Sequence, residues 1–141
     1  LSGELAKLTS FSLFKNNYLV AYHKSDGLIV SSATGSTAYM YSGGGPVLYP
    51  TLDVFAIMPM FSHSSSTRPL ILPADDELEL KYEHNEKAKV ILDGHNEFDL
   101  DSGDSLKIKN SSTRYKLIHP SDYDYFDACR SKLYWGLPIV K

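Results

Sequence analysis

Short apolar segments separated by turn residues recur through most of the chain, and this pattern limits the fold more than any other feature. Leu78–Tyr82 alternates apolar and charged side chains, as a strand with one buried face does. Val54–Met58 is continuously apolar, which is typical of a strand covered on both faces. Asn16-Asn17 and Asp93-Gly94 each separate two such segments, and both dipeptides favour hairpin turns. The sequence therefore predicts an antiparallel β domain.

Two segments depart from the strand pattern and are predicted to be helical. Thr34–Tyr39 is rich in small hydroxyl residues, which suit the start of a short helix because Ser and Thr are good caps. In Ser121–Tyr134 apolar residues recur at helical spacing, and Ser121 is a candidate N-cap. Tyr115–Ile118 is the last predicted strand. The predicted fold class is thus mainly β, with a short helix at 34–39 and a C-terminal helix.

Charge and cysteine content exclude several functional classes. The net charge of −3 over 141 residues provides no basic surface, so no nucleic-acid partner is predicted. Cys129 is the single cysteine, which rules out a disulfide within the chain and a CxxC zinc site. No apolar run is long enough to cross a bilayer, and Leu1–Glu4 does not resemble a signal peptide. We expect a cytoplasmic protein with no membrane partner and no metal site.

The segment from Ser25 to Pro46 is the candidate ligand site. A strand is followed by the hydroxyl-rich helix start, and backbone N–H groups at such a position can bind anions. The glycines at 43–45 let a ligand approach the backbone, and Tyr39 could stack on a purine or donate its hydroxyl. These features predict a site for a phosphorylated ligand with an aromatic ring. Spacing alone favours the alternative, a capped helix and a glycine-rich turn that serve only the fold.

Asp26-Gly27, Thr34–Tyr39, Ser42 and Gly44-Gly45-Pro46, in this order and spacing, resemble the central signature of the NAD kinases. The resemblance covers nearly the whole chain, is weakest over residues 1–24, and is strongest to bacterial members. The further matching positions are Pro50–Asp53, Pro59–Phe61, Ser64, Arg68–Leu70, Leu72-Pro73, Asp93-Gly94, His119-Pro120, Tyr123, Tyr125-Phe126 and Lys132-Leu133.

This resemblance implies that residues 1–141 form the C-terminal NAD-binding domain of an NAD kinase, an antiparallel β-sandwich-like domain. Such an enzyme uses ATP, with Mg²⁺ on the ATP phosphates, to phosphorylate the 2′-hydroxyl of the adenosine ribose of NAD and so makes NADP. The family's N-terminal α/β domain carries a Gly-Gly-Asp-Gly loop with the catalytic carboxylate, and a downstream Asn-Glu pair. Neither motif stands at a matching position here. No catalytic residue is therefore predicted, and the isolated chain is expected to be inactive.

The resemblance also assigns ligand contacts. Asp26 would bind the nicotinamide carboxamide, Ser42 would hydrogen-bond near the adenine, and Phe61 matches a position beside the adenine. The complete predicted NAD-binding set is Asp26, Gly27, Thr34, Thr37, Ala38, Tyr39, Ser42, Phe61 and His63. Asp93 and Gly94 fall where family members place a loop that reaches a neighbouring subunit's site. A homo-oligomer, dimer or tetramer, is therefore expected.

Two other classes stay open at this level. One is a relative of the lipid kinases that share this architecture, which would not be expected to carry the TGSTAY string. The other is a non-catalytic nucleotide-binding or interaction domain. A Gly-Gly-Asp-Gly loop and an Asn-Glu pair encoded upstream of Leu1 would favour the kinase. Arg68 is expected to pair with a carboxylate that holds the sheet, and Cys129 to be a buried structural residue.

Overall fold

The computed structural model describes residues 9–62, 68–84 and 87–136. The chain divides into two compact units, Leu1–Asn110 and Ser111–Lys141. The strands of the described residues are β1 Thr9–Lys15, β2 Tyr18–Ser25, β3 Gly27–Ser32, β4 Val54–Met60, β5 Leu70–Pro73, β6 Leu78–Tyr82, β7 Ala88–Leu92, β8 Asn96–Leu100 and β9 Ser105–Ile108. The helical elements are a 3-10 helix over Thr34–Thr37, α1 over Tyr39–Ser42 and α2 over Tyr125–Leu133.

The strands of the first unit form two main sheets and a separate hairpin. Sheet A has the order β2-β1-β6-β9, sheet B has the order β3-β4-β5, and β7 pairs with β8. Every described strand pair is antiparallel. Apolar residues of sheets A and B pack together in one core, which includes Leu13, Phe55, Ile57, Ala74 and Leu78. This arrangement confirms the predicted mainly β, sandwich-like fold.

The outer face of sheet B, turned away from that core, is also covered. Met40 of α1 packs on Ala56 and Met58 of β4, and Ile29 and Leu48 complete this second apolar cluster. Inner and outer residues alternate along β4, as expected for a strand with both faces buried. The continuous apolar run of β4 is therefore explained by two layers that cover the same sheet.

The chain passes from sheet A to sheet B at a single residue, Asp26, between β2 and β3. The buried Ser25 hydroxyl donates a hydrogen bond to the Gly27 carbonyl at 2.8 Å. The Asp26 backbone N–H donates to the Met60 carbonyl of β4 at 3.0 Å. These two bonds fix the corner, and the Asp26 side chain is left exposed there.

Two turn predictions are confirmed in their backbone angles. Asn16 and Asn17 have φ angles of 52° and 63° between β1 and β2, and Asp93 and Gly94 have 49° and 82° between β7 and β8. Asn and Gly adopt these left-handed values at low cost, so each dipeptide closes its hairpin. Asn16 also donates a side-chain hydrogen bond to Asp76 at 2.8 Å.

The helix predictions hold in position but not in detail. The helix predicted at 34–39 is a 3-10 turn followed by one turn of α-helix, because Ala38 leaves helical geometry at φ −97° and ψ −127°. The C-terminal helix begins at Tyr125, since the Asp124 carboxylate rather than Ser121 caps it by accepting the Phe126 N–H at 2.8 Å. Cys129 is buried, as predicted.

The strand predicted at Tyr115–Ile118 is wrong. No described strand pairs with this segment, which lies in the second unit as irregular structure. Alternating side chains indicate an extended backbone, but a strand also needs a neighbour for its hydrogen bonds, and periodicity does not show one.

Gly45→Ala should lower the free energy of unfolding by about 1–3 kcal/mol, the usual cost of overpacking. An added Cβ would overlap Cγ of Met40 and lie 2.9 Å from the Met40 carbonyl oxygen, which is backbone and cannot move aside. Gly43→Ala is the control, because its Cβ would overlap only the terminal methyl of Met58, a flexible group. Thermal unfolding of both variants measures the difference, and an equal loss for Gly43→Ala would contradict this packing.

Candidate functional site

The signature segment Thr34–Ser42 divides into buried anchors and accessible side chains. Ser36 and Met40 are buried, four residues apart, and both point into the protein. Thr34, Ala38 and Ser42 are exposed, Thr37 is half-buried, and Tyr39 keeps 67% of its surface accessible. The residues predicted to contact a ligand are therefore those that the fold leaves free, while their neighbours hold the segment on sheet B.

Ser36 is the polar anchor of this segment. Its hydroxyl donates a hydrogen bond to the Ala33 carbonyl at 2.7 Å and accepts one from the Leu48 N–H at 3.0 Å. The hydroxyl thus ties the 3-10 helix to Leu48 in the loop before β4, 12 residues later in the chain. The sequence alone gives no reason to separate Ser36 from Thr37, so this anchor was not predicted.

The helix start does not offer the free N–H groups that the anion-site prediction assumed. The Gly35 N–H donates to the Ser32 hydroxyl at 3.2 Å, and the Ser36 N–H donates to the Ala33 carbonyl at 3.2 Å. The capping hydroxyl is therefore Ser32, before the predicted helix, rather than a residue inside it. Two donors that a phosphate would need already have partners in the protein.

The three glycines have different roles. A Cβ at Gly45 would overlap the Met40 side chain and crowd its backbone, so packing requires this glycine. A Cβ at Gly43 would overlap only the terminal methyl of Met58, which can move aside. Gly44 has φ of 86°, and no atom lies within 4 Å of the position that a Cβ would occupy. Its backbone is therefore open to solvent. The prediction of close ligand approach therefore applies to Gly44 alone.

A second group of predicted residues lies at the sheet corner. Gly27 pairs with Met60 at the end of sheet B, which places Asp26 beside the end of β4 and Phe61 immediately after it. Phe61 has φ of 46°, a left-handed backbone that bulky residues rarely adopt, and its ring is 80% exposed. The corner thus presents a carboxylate and an aromatic ring to solvent.

The corner and the glycine-rich segment border the same face of sheet B. Gly43 lies against Met58. A Cβ built on Gly27 would lie 3.4 Å from the sulfur of Met60. Met58 and Met60 are two residues apart on one strand, so they share a face and are separated by roughly 7 Å. The structure therefore brings Asp26, Gly27 and Phe61 toward the end of the signature segment.

Two predicted residues, Asp93 and Gly94, are not brought into this group, and the placement of a third is not described. His63 lies outside the described residues. Asp93 and Gly94 lie at the exposed tip of the β7–β8 hairpin, a sheet of its own. Their predicted contact with a neighbouring subunit stays a prediction.

Arg68 forms no ion pair with a carboxylate of the described residues, so the structural pairing expected for it stays a prediction. In the same part of the chain, no three His, Cys, Asp or Glu side chains lie together as a metal site would require. The helices that the structure describes are too short or too polar to cross a membrane.

The chain is thus an antiparallel β-sandwich domain, with a glycine-rich loop and accessible polar and aromatic side chains on one outer face. Its sequence matches the family model of the ATP-NAD kinase C-terminal domain over residues 1–120. The chain therefore belongs to the ATP-NAD kinase C-terminal domain family.

Individual relatives agree with this family. The chain is 44% identical over 137 residues to an NAD kinase of Pseudoalteromonas translucida, which covers 96% of the chain and 47% of the relative. It is 40% identical over 142 residues to an NAD kinase of Cellvibrio japonicus. This alignment covers 99% of the chain and 47% of the relative. The chain thus spans about half the length of the curated relatives it matches.

Solved structures show the same fold. A yeast NADH kinase complexed with NADH matches with a TM-score of 0.84 and 25% identity, over 99% of this chain and 44% of that one. An NAD kinase from Archaeoglobus fulgidus in complex with ATP matches with a TM-score of 0.69 and 30% identity. This match covers 79% of this chain and 43% of that one.

Ser36→Ala should lower the free energy of unfolding by about 1–3 kcal/mol, because it removes two hydrogen bonds in a buried site. Thr37→Ala is the matched control. Its hydroxyl makes one long hydrogen bond, 3.5 Å to the Thr34 carbonyl, so a change within about 0.5 kcal/mol is expected. Urea unfolding of the two variants tests the division into anchors and accessible side chains, and an equal loss for both would contradict it.

Proposed function

We propose that this chain is the NAD-binding half of an ATP-dependent NAD kinase, which phosphorylates the 2′-hydroxyl of the adenosine ribose of NAD to give NADP. Family membership, relatives named NAD kinase and a structural match to a kinase complexed with NADH support this proposal. The observation that carries it is the division of the signature segment into buried anchors and accessible side chains. The Tyr39 ring, at 67% exposure, lies on this face together with the exposed Ser42 hydroxyl and the bare backbone of Gly44.

The proposed contacts follow from the chemistry of each exposed group. The Asp26 carboxylate can accept the N–H groups of a carboxamide, and Gly27 beside it leaves room for a ring to approach. The rings of Tyr39 and Phe61 offer stacking surfaces for a base, and the Ser42 hydroxyl can donate to or accept from its edge. Thr34, Thr37 and Ala38 would line the rest of the adenosine.

Phosphoryl transfer needs a positioned carboxylate and neutralisation of charge on the phosphates, with little covalent chemistry from the protein. We assign neither task to a residue of this chain. The described residues contain no cluster that could hold Mg²⁺, so ATP and its metal belong, in this proposal, to the Gly-Gly-Asp-Gly half of the complete enzyme. The chain alone is accordingly proposed to bind NAD without phosphorylating it.

The proposal extends to assembly and location. A two-stranded hairpin is marginal by itself in water, and the β7–β8 hairpin exposes Ile91, Leu92 and Phe98. A neighbouring subunit could cover these side chains while Asp93 and Gly94 reach its ligand site. We accordingly propose a homo-oligomer, a dimer or tetramer, that works in the cytoplasm.

Calorimetric titration of the 141-residue chain with NAD and NADP, with ATP alone as a control, tests the binding site directly. We expect NAD to bind and Tyr39→Ala to weaken it tenfold or more, because base stacking on an aromatic ring contributes about 1–3 kcal/mol. Asp26→Asn should also weaken binding, since it replaces a charged acceptor with an amide.

Tyr18→Ala is the matched control for Tyr39→Ala, because Tyr18 is an exposed tyrosine (78%) at the start of β2, away from the corner. Circular dichroism establishes that each variant is folded. A folded chain that binds neither NAD nor NADP, or that binds equally well without the Tyr39 ring, would contradict this assignment.

Phe61→Gly should weaken NAD binding while leaving the melting temperature unchanged or higher. A left-handed backbone costs a residue with a side chain about 1–2 kcal/mol, and glycine avoids that cost. The exposed Phe61 ring loses little packing when removed. Phe61→Ala is the control, since it removes the ring but keeps the backbone strain. A loss of stability in Phe61→Gly would mean that the ring serves the fold.

A further inference from the structure

A cleft of about 360 Å³ opens between sheets A and B, apart from the outer face that carries the signature segment. Ala21 and His23 of β2 form one wall, and Ile57 and Pro59 of β4 form the opposite wall. Arg68 and Leu70 also line it, just before and within β5. Pockets for small ligands in proteins usually measure about 300–1,000 Å³, so this cleft is at the small end of that range.

The cleft exists because the side chain on one wall is short. Ala21 pairs with Leu13 of β1, whose side chain is fully buried in the core between the sheets. At its own position Ala21 contributes a single methyl group. An aliphatic residue of normal core size there would occupy part of the space. The walls are otherwise apolar, and they can bury a hydrocarbon or aromatic body.

The charge in the cleft is carried by Arg68. Its exposed guanidinium has no carboxylate partner among the described residues, although its five N–H donors favour such a partner. Burial lowers the pKa of His23, so this imidazole is predominantly neutral near pH 7 and offers one donor and one acceptor. The cleft therefore combines an apolar interior with one positive charge that no carboxylate of the described residues pairs with.

We propose that this cleft binds a small amphipathic monoanion, with its apolar body between Ala21, Ile57 and Pro59 and its carboxylate on Arg68. A dinucleotide is a poor match, because its two phosphates carry more charge than one guanidinium can neutralise, and its volume exceeds the cleft. The site is independent of the proposed NAD site, since it opens on the inner face of sheet B rather than the outer one.

Octanoate is the probe, and octanol and acetate are the two matched controls. Octanol keeps the apolar chain without the charge, and acetate keeps the charge without the chain. Titrations of the ¹⁵N-labelled 141-residue chain, followed by NMR, should show octanoate shifting amides around Ala21, His23 and Leu70. Octanoate should bind at least about tenfold more tightly than either control, the usual gain from a charge-assisted hydrogen bond.

Two variants separate the cleft from non-specific binding. Arg68→Gln should weaken octanoate about tenfold and leave octanol unchanged. Ala21→Leu should fill the space and weaken both. Lys24→Gln is the control, because it removes one exposed cation from β2 next to His23 but not from the cleft lining.

Thermal unfolding checks that Ala21→Leu is folded. If Ala21→Leu does not fold, Arg68→Gln still tests the proposal. Equal binding of octanoate, octanol and acetate would overturn the proposal. So would a loss of octanoate binding in Lys24→Gln as large as in Arg68→Gln. Shifted amides confined to the outer face of sheet B would also overturn it. Unchanged NAD binding in Arg68→Gln would show that the cleft and the proposed NAD site are independent, so that each proposal is tested separately.

Discussion

The burial of β4 on both faces is the constraint on which the rest of the structure depends. Its inward residues Phe55 and Ile57 complete the core between the sheets, and its outward residues Ala56 and Met58 are covered by Met40. An apolar strand with one uncovered face would expose a patch that favours aggregation. Sheet B therefore needs a second cover, and the signature segment supplies it.

The packing of this segment on sheet B explains how it holds a fixed shape while some of its side chains stay accessible. A nine-residue stretch with two short helical turns would not hold a shape in isolation, because helices this short are unstable in water. Met40 packs on sheet B, and the Ser36 hydroxyl fixes the segment to Leu48 of the following loop. The side chains between those points then occupy fixed positions without being buried. Pre-positioned contacts reduce the entropy lost when a ligand binds.

Sequence patterns predicted the features that depend on local geometry and missed those that depend on distant contacts. Alternation along β6 and the Asn and Asp-Gly turns are local, so the strands and hairpins were found. The anchor at Ser36 was missed, because neighbouring hydroxyls look alike until Leu48 folds back onto one of them. Packing likewise separates Gly43 and Gly45 from Gly44, although the three are identical in the sequence.

The end of β4 near the Asp26 corner is where the structure departs most from close packing. The core residues of β4 are Phe55 to Met58, and beyond them Pro59 lines a cleft while Phe61 is strained and exposed. An uncovered ring, a cleft between the sheets and a guanidinium with no carboxylate partner among the described residues each cost stability, and Pro59, Phe61 and Arg68 lie within ten residues of one another in the chain. Such costs persist where the local arrangement serves binding. The same strand thus stabilises the domain through its middle, and its end adjoins both of the proposed ligand sites.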